Sequence, residues 1–176
     1  MCPIDKIVNL KNHPIDTLND YAMDCHNIIN NESVLQLDNF LTNNALKIIE
    51  KEAESLKVKA YYCSQFHTIL LNKKNINLDK EDPCNIEVKS DKGCVPHDLI
   101  PRQSYLNKLY NSHEFRNFIK KVLNLEYIYP YKDTLSSINY NYYEKYQQLG
   151  WHFDNASFAI TLMISSSKKG GIFQYF

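Results

Sequence analysis

Residues 150–163 read GWHFDNASFAITLM and place a histidine and an aspartate two positions apart at the start of an alternating apolar run. Side chains of a β-strand alternate between its two faces, so residues i and i+2 point the same way. The pattern therefore predicts a strand that presents the His152 imidazole and the Asp154 carboxylate side by side. Phe153 is expected on the opposite face.

Further strands are predicted on both sides of this motif. The tyrosine-rich stretch 137–146, SINYNYYEKY, precedes it, and 158–165, FAITLMIS, follows with its apolar residues on one face. The sequence KKGG at 168–171 is typical of a turn, after which 172–176, IFQYF, begins another strand.

Helical periodicity dominates the first 125 residues. Thr42 and Ser112 each precede a periodic apolar segment and are predicted N-caps. A run rich in aromatic and β-branched residues at 60–71, AYYCSQFHTILL, is strand-like. The predicted helices cover residues 16–30, 43–58, 103–111 and 113–124.

The stretch 72–101 mixes charged residues with Pro, Gly and Asn and is predicted to be a long loop, such as a lid, a binding loop or a disordered insertion. Helices over 1–125 followed by strands over 126–176 indicate an α+β domain, with support helices packed on an antiparallel sheet. One domain over 1–176 suits the chain length.

The composition is that of an ordinary globular protein, with 44% hydrophobic and 23% charged residues. Twenty basic residues balance twenty acidic ones, so no net charge favours nucleic acid or an anionic membrane. The first residues contain no continuous apolar h-region and eighteen apolar residues nowhere run together, so neither secretion nor a membrane span is expected. Five scattered cysteines without a CxxC pair indicate reduced thiols and a cytoplasmic protein.

A His-x-Asp pair alone is weak evidence, because an ordinary hydrogen-bonded surface pair has the same spacing. An imidazole and a carboxylate directed at one point are nevertheless two thirds of the 2-His-1-carboxylate triad that binds non-haem Fe(II). His152 and Asp154 are therefore candidate metal ligands and catalytic residues.

The stretch 138–176 resembles the core of Fe(II)- and 2-oxoglutarate-dependent oxygenases: a tyrosine-bearing strand, His-x-Asp, a Thr-containing apolar strand and a Gly-Gly strand follow in the same order. Residues 33–56, SVLQLDNFLTNNALKIIEKEAESL, are similar to the entry strand and first support helix of the prolyl-hydroxylase-like branch. WHFD with GGIFQY resembles the group of free-amino-acid hydroxylases and radical halogenases.

The resemblance implies a double-stranded β-helix of the jelly-roll or cupin-like type, which uses Fe(II) with 2-oxoglutarate and dioxygen. It makes His152 and Asp154 iron ligands, and Asp154 favours hydroxylation, because halogenating members have a small residue there. Tyr142 and Thr161 fall where such enzymes place hydroxyl groups near 2-oxoglutarate, or are packing residues. Asn155 faces a substrate or shapes a turn.

The implied substrate is a small molecule, with a free amino acid favoured. A prolyl-type protein hydroxylase is one alternative, and a non-catalytic jelly-roll binding or structural protein that lacks the distal histidine is another. A hydrolytic metal site of Glu144, His152 and Asp154 is a third.

The chain departs from the family in having no histidine and no arginine after His152, where a second iron ligand and a 2-oxoglutarate partner are expected. The remaining 24 residues are too few to close an eight-stranded barrel. We therefore expect an incomplete barrel, from a fragment, a truncated gene product or a chain that a partner completes, and an unpaired sheet edge that favours homo-oligomers. Among upstream candidates for the missing ligand, His97 is favoured over His67 and His113, which are expected on the surface or a helix face.

Overall fold

The computed structural model describes residues 3–17 and 19–175. Leu18 of the first predicted helix, Cys2 and Phe176 lie outside the described residues. The described helices are α1 (Asn19–Glu32), α2 (Asn43–Leu56), α3 (Tyr105–Asn111) and α4 (His113–Val122). The described strands are β1 (Tyr61–Thr68), β2 (Glu87–Pro96) and β3 (Asn139–Tyr142), in the sheet order β1-β2-β3.

This arrangement confirms the predicted α+β class, since four helices and one three-stranded antiparallel sheet make up the regular structure of the described residues. The finer prediction of a double-stranded β-helix is not confirmed, because three strands do not form a jelly roll. The chain divides into two compact units, a helical unit of residues 1–56 and 96–139 and a sheet unit of residues 57–95 and 140–176.

Helices α2 and α4 of the helical unit begin at the predicted caps. Thr42 Oγ1 accepts a hydrogen bond from the N–H of Ala45 at 3.1 Å, and Ser112 Oγ accepts one from Phe115 at 3.2 Å. Each hydroxyl satisfies a backbone donor that the first helical turn leaves unpaired. Both N-cap predictions are therefore confirmed.

The core of the helical unit is apolar. Helix α1 contacts α4, where the Tyr21 ring stacks on Phe118 at a centroid distance of 5.7 Å. His26 Nδ1 donates to the carbonyl of Val122 at 2.8 Å. The buried apolar residues of the helical unit include Ile7, Val8, Ala22, Cys25, Ala45, Ile49, Leu109 and Phe118.

Strand β2 corrects the prediction of a loop over 72–101. Residues 87–94 pair with β1 in an antiparallel register that runs from Tyr61 opposite Cys94 to Thr68 opposite Glu87. The sequence EVKSDKGCVP hid this strand because its buried positions include polar Ser90 and Asp91 rather than an apolar alternation. Backbone pairing and side-chain hydrogen bonds, discussed below, stabilise β2 instead.

The predicted strands after β3 are wrong within the described residues. The strand expected over 137–146 is limited to β3, and residues 150–175, including the FAITLMIS run at 158–165, form neither helix nor strand. A strand is stable only when a neighbouring strand pairs with its N–H and C=O groups. Alternation in the sequence predicts the two faces of a strand but supplies no such neighbour.

No helix formed by the described residues is long and apolar enough to cross a bilayer. The four described cysteines, Cys25, Cys63, Cys84 and Cys94, are free thiols.

Candidate functional site

The structure brings His152 and Asp154 together, although on an irregular segment rather than on a strand. His152 Nδ1 lies 2.7 Å from the carbonyl oxygen of Gly150, and His152 Nε2 lies 3.3 Å from Asp154 Oδ1. The imidazole is mostly buried, whereas 55% of the Asp154 side chain is exposed. The site is therefore open to solvent on its carboxylate side.

The hydrogen bond to Gly150 fixes which imidazole nitrogen carries the proton. A carbonyl oxygen can only accept, so His152 Nδ1 is the donor. In the neutral ring, Nε2 then carries a lone pair and lies 3.3 Å from Asp154 Oδ1. A metal ion or a proton placed between these two acceptors would make the contact attractive.

The pair fits two positions of a metal centre. Donor atoms about 2.1 Å from one ion and at right angles to each other lie about 3 Å apart, close to the separation of these two atoms. Metal-binding histidines commonly donate their second nitrogen to a backbone carbonyl, as His152 does to Gly150.

The segment that precedes His152 is docked on β2 by hydrogen bonds. Ser90 Oγ accepts from the N–H of Gly150 at 2.9 Å. Asp91 Oδ1 accepts from the N–H of Gln148 at 2.7 Å, and the N–H of Asp91 donates to the Gln148 carbonyl at 2.8 Å. The two polar residues that are buried on β2 thus position the candidate site.

Charge reinforces this docking. Lys89 Nζ lies 2.6 Å from Asp91 Oδ2. Its hydrogen bond and the N–H of Gln148 hold the pKa of the Asp91 carboxyl below its usual range. Asp91 is therefore ionised at neutral pH and remains an acceptor for the 148–150 segment.

A second anchor lies beyond the motif, where the N–H of Phe153 donates to the carbonyl of Ile69 at 2.8 Å. Ile69 directly follows β1, so the motif is held from both strands of the β1-β2 pair. The His152 backbone is therefore fixed on each side of the imidazole.

His67 is the residue that sequence reasoning missed. It is only 5% exposed, on β1, which corrects the expectation of a surface position. Its ring stands edge-on to that of His152 at a centroid distance of 6.0 Å. Its position in the apolar stretch that ends β1 was the available signal, because isolated histidines in such stretches are often buried and hydrogen-bonded.

A third metal donor is not preassembled, since the described residues contain no group of three His, Cys, Asp or Glu side chains placed to hold an ion. Both ring nitrogens of His67 are hydrogen-bonded, Nδ1 to the Thr68 carbonyl at 2.8 Å and Nε2 to Ser90 Oγ at 2.6 Å. His97, the favoured candidate, belongs to the helical unit, where its Nδ1 bonds to Ser137 Oγ at 2.6 Å.

Glu144, the alternative hydrolytic ligand, is engaged elsewhere. Its carboxylate lies 2.8 Å from Lys57 Nζ and accepts from the Tyr62 hydroxyl at 3.3 Å. The Lys57 ammonium is the main reason that the pKa of Glu144 is lowered. No three-donor group of the described residues includes it, so the Glu144 hypothesis gains no support.

The three remaining candidate site residues are Tyr142, Thr161 and Asn155, and their surroundings differ. Tyr142 ends β3, partly buried, with its ring centroid 6.4 Å from that of Tyr140. Thr161 is exposed on the irregular segment. Asn155 is exposed in a bend directly after Asp154, which agrees with a turn-shaping role.

No family model, no curated protein and no solved structure matches this chain.

Proposed function

We propose that this chain is an Fe(II)- and 2-oxoglutarate-dependent oxygenase that hydroxylates an unactivated C–H bond of a small molecule, with a free amino acid as the favoured substrate class. One observation carries the proposal: His152 Nε2 and Asp154 Oδ1 converge within 3.3 Å while Nδ1 is bonded to the Gly150 carbonyl. The order of motifs around this pair supports the same conclusion.

In this proposal His152 and Asp154 hold the metal, and a third donor has to join them. When bound, iron with its keto acid and dioxygen supplies the oxidant for hydrogen abstraction. The chain contributes the tautomer of His152, fixed by Gly150, and a carboxylate that is open to solvent. Because Asp154 fills a ligand position, hydroxylation rather than halogenation is the proposed outcome. Tyr142 and Thr161 are proposed near 2-oxoglutarate, and Asn155 on the substrate side.

A second candidate is a non-catalytic binding or structural protein in which the His152–Asp154 pair is an ion pair. The observation that favours it is that no three-donor group exists among residues 3–17 and 19–175. In this alternative a proton occupies Nε2, and the chain binds no metal.

Anaerobic titration with Fe(II), with and without 2-oxoglutarate, separates the two candidates. The proposal predicts a visible charge-transfer band that requires both iron and the keto acid. The band is lost in His152→Ala and Asp154→Ala but retained in His113→Ala, which removes an exposed histidine of the helical unit. A folded chain without the band, or a band that survives His152→Ala, contradicts the proposal.

A further inference from the structure

A continuous chain of hydrogen bonds connects the buried His67 to His152. It begins at the Thr68 carbonyl, which can only accept, so His67 Nδ1 carries a proton. In the neutral ring His67 Nε2 is then an acceptor, and Ser90 Oγ donates to it at 2.6 Å. The direction of the first two hydrogen bonds is thereby fixed.

The chain continues through Ser90 to the candidate site. The Ser90 hydroxyl, which donates a hydrogen bond to His67, also accepts one from the N–H of Gly150 at 2.9 Å. The carbonyl of the same glycine accepts from His152 Nδ1 at 2.7 Å. Gly150 thus links the buried pair to the imidazole that faces Asp154.

The backbone at Gly150 has little freedom to move. A Cβ at this position would lie 2.7 Å from Val88 Cγ2 and 2.8 Å from the Lys89 carbonyl oxygen, so the glycine packs directly on β2. The N–H bond to Ser90 fixes the peptide plane that precedes the Gly150 Cα, and the Phe153 N–H bonded to the Ile69 carbonyl holds the chain beyond the Gly150 carbonyl.

We infer that the buried His67–Ser90 pair is a positioning device that holds Gly150 so that its carbonyl selects the Nδ1–H tautomer of His152. The consequence for the site is that Nε2, which lies 3.3 Å from Asp154 Oδ1, keeps its lone pair. Only the effect on metal binding rests on the proposed function. The effect on the tautomer is a property of the free protein.

The competing explanation is that His67 and Ser90 are simply a satisfied polar pair in the interior. Ser104 provides a matched comparison, because it is equally buried and its hydroxyl also donates once and accepts once. It donates to Glu52 Oε1 at 2.6 Å and accepts from the N–H of Leu106 at 3.1 Å. Ser104→Ala therefore removes two similar hydrogen bonds in the helical unit and leaves the hydrogen bonds that connect His67 to His152 unchanged.

The test is long-range ¹H–¹⁵N NMR of the histidine rings in the metal-free protein, recorded at a pH at which the ¹⁵N shifts show the His152 ring to be neutral. Comparison with His152→Ala assigns the His152 signals. We expect the Nδ1–H tautomer in the wild type, in Ser104→Ala and in Ser90→Thr, which keeps the hydroxyl. In Ser90→Ala, His152 is expected to lose its preference for the Nδ1–H tautomer.

A folded Ser90→Ala protein that retains the Nδ1–H tautomer overturns the inference. If Ser90→Ala does not fold, Gly150→Ala tests the Ser90–Gly150 contact by changing its other partner. Retention of the Nδ1–H tautomer in Gly150→Ala overturns the inference equally.

Mn²⁺ affinity gives the second measurement, and Ser90→Ala is expected to bind about 10- to 100-fold more weakly than Ser90→Thr. A wild-type protein that binds no Mn²⁺ contradicts the proposed function alone, since the tautomer comparison still decides the positioning role.

Discussion

The backbone N–H of Gly150 lies 2.9 Å from Ser90 Oγ on β2, so the residue two positions before the candidate ligand His152 is fixed to the centre of the sheet. The close approach is possible only because residue 150 has no side chain. Its missing Cβ would contact the Lys89 carbonyl oxygen, a backbone atom that cannot turn aside.

Gly150→Ala is therefore expected to lower the free energy of unfolding by about 1–3 kcal/mol, the usual cost of overpacking. Gly93→Ala is the matched control, because its Cβ would meet only the ring of Tyr62, an exposed side chain that can rotate. Urea denaturation of both variants measures the difference. Equal losses in the two variants contradict this account of Gly150.

Acid should weaken the docking of the 148–150 segment on β2. The pKa of Asp91 is lowered by Lys89 and by the N–H of Gln148. A carboxyl with a lowered folded-state pKa contributes stability above its unfolded value, about 3.9, and loses it as the pH falls through the folded-state pKa. The contribution of Asp91 is therefore complete at neutral pH and is lost progressively as the pH falls from about 4 through the lower folded-state pKa.

Asp91→Asn isolates this contribution, because the amide oxygen still accepts from Gln148 but carries no charge for Lys89. The midpoint of thermal unfolding should fall less steeply in Asp91→Asn than in the wild type between about pH 5 and pH 2. Curves of equal slope would show that Asp91 is not responsible for the loss of stability in acid. Glu144→Gln serves as a control, because Glu144 is another carboxylate whose pKa is lowered.

The sequence predicts those parts of the fold that depend on interactions between residues close together in the chain. The caps Thr42 and Ser112 were predicted because a hydroxyl at the start of a periodic segment bonds to an N–H three residues away. Strand β2 was missed because its buried Asp91 and Ser90 accept hydrogen bonds from backbone N–H groups that lie 57 and 60 residues along the chain.

The candidate site divides in the same way. The proximity of His152 and Asp154 follows from their spacing of two residues, although the strand expected to present them is not formed. The place of His67 beside His152 depends on the pairing of β1 with β2 and on the docking of Gly150, neither of which one sequence reveals.

The N-cap of α2 is a second site for a stability measurement. Thr42 Oγ1 accepts from the N–H of Ala45 and donates to the Lys6 carbonyl at 3.0 Å. Thr42→Ala should lower the free energy of unfolding by about 1 kcal/mol, because a helical N–H loses its partner. Thr42→Ser keeps the hydroxyl and should restore most of the loss in the same denaturation experiment, whereas equal losses would exclude the capping role.

Thiol reactivity should separate the described cysteines by burial. Cys63 and Cys84 are exposed, whereas burial raises the pKa of the Cys25 thiol and keeps reagents away from it. A thiol-specific reagent at pH 8 should modify the two exposed cysteines quickly and Cys25 only when the helical unit opens. Mass spectrometry of the digested protein assigns each rate, and rapid labelling of Cys25 in the folded protein would contradict its placement on α1.

The proposed function requires that His152 and Asp154 bind one metal ion. Substoichiometric Mn²⁺ added to ¹⁵N-labelled protein tests it most directly, because the paramagnetic ion broadens the backbone signals of residues nearest to it. We predict selective broadening of residues 150–155 in the wild type and its loss in Asp154→Ala. Unbroadened signals in this segment, or equal broadening in Asp154→Ala, would contradict the claim.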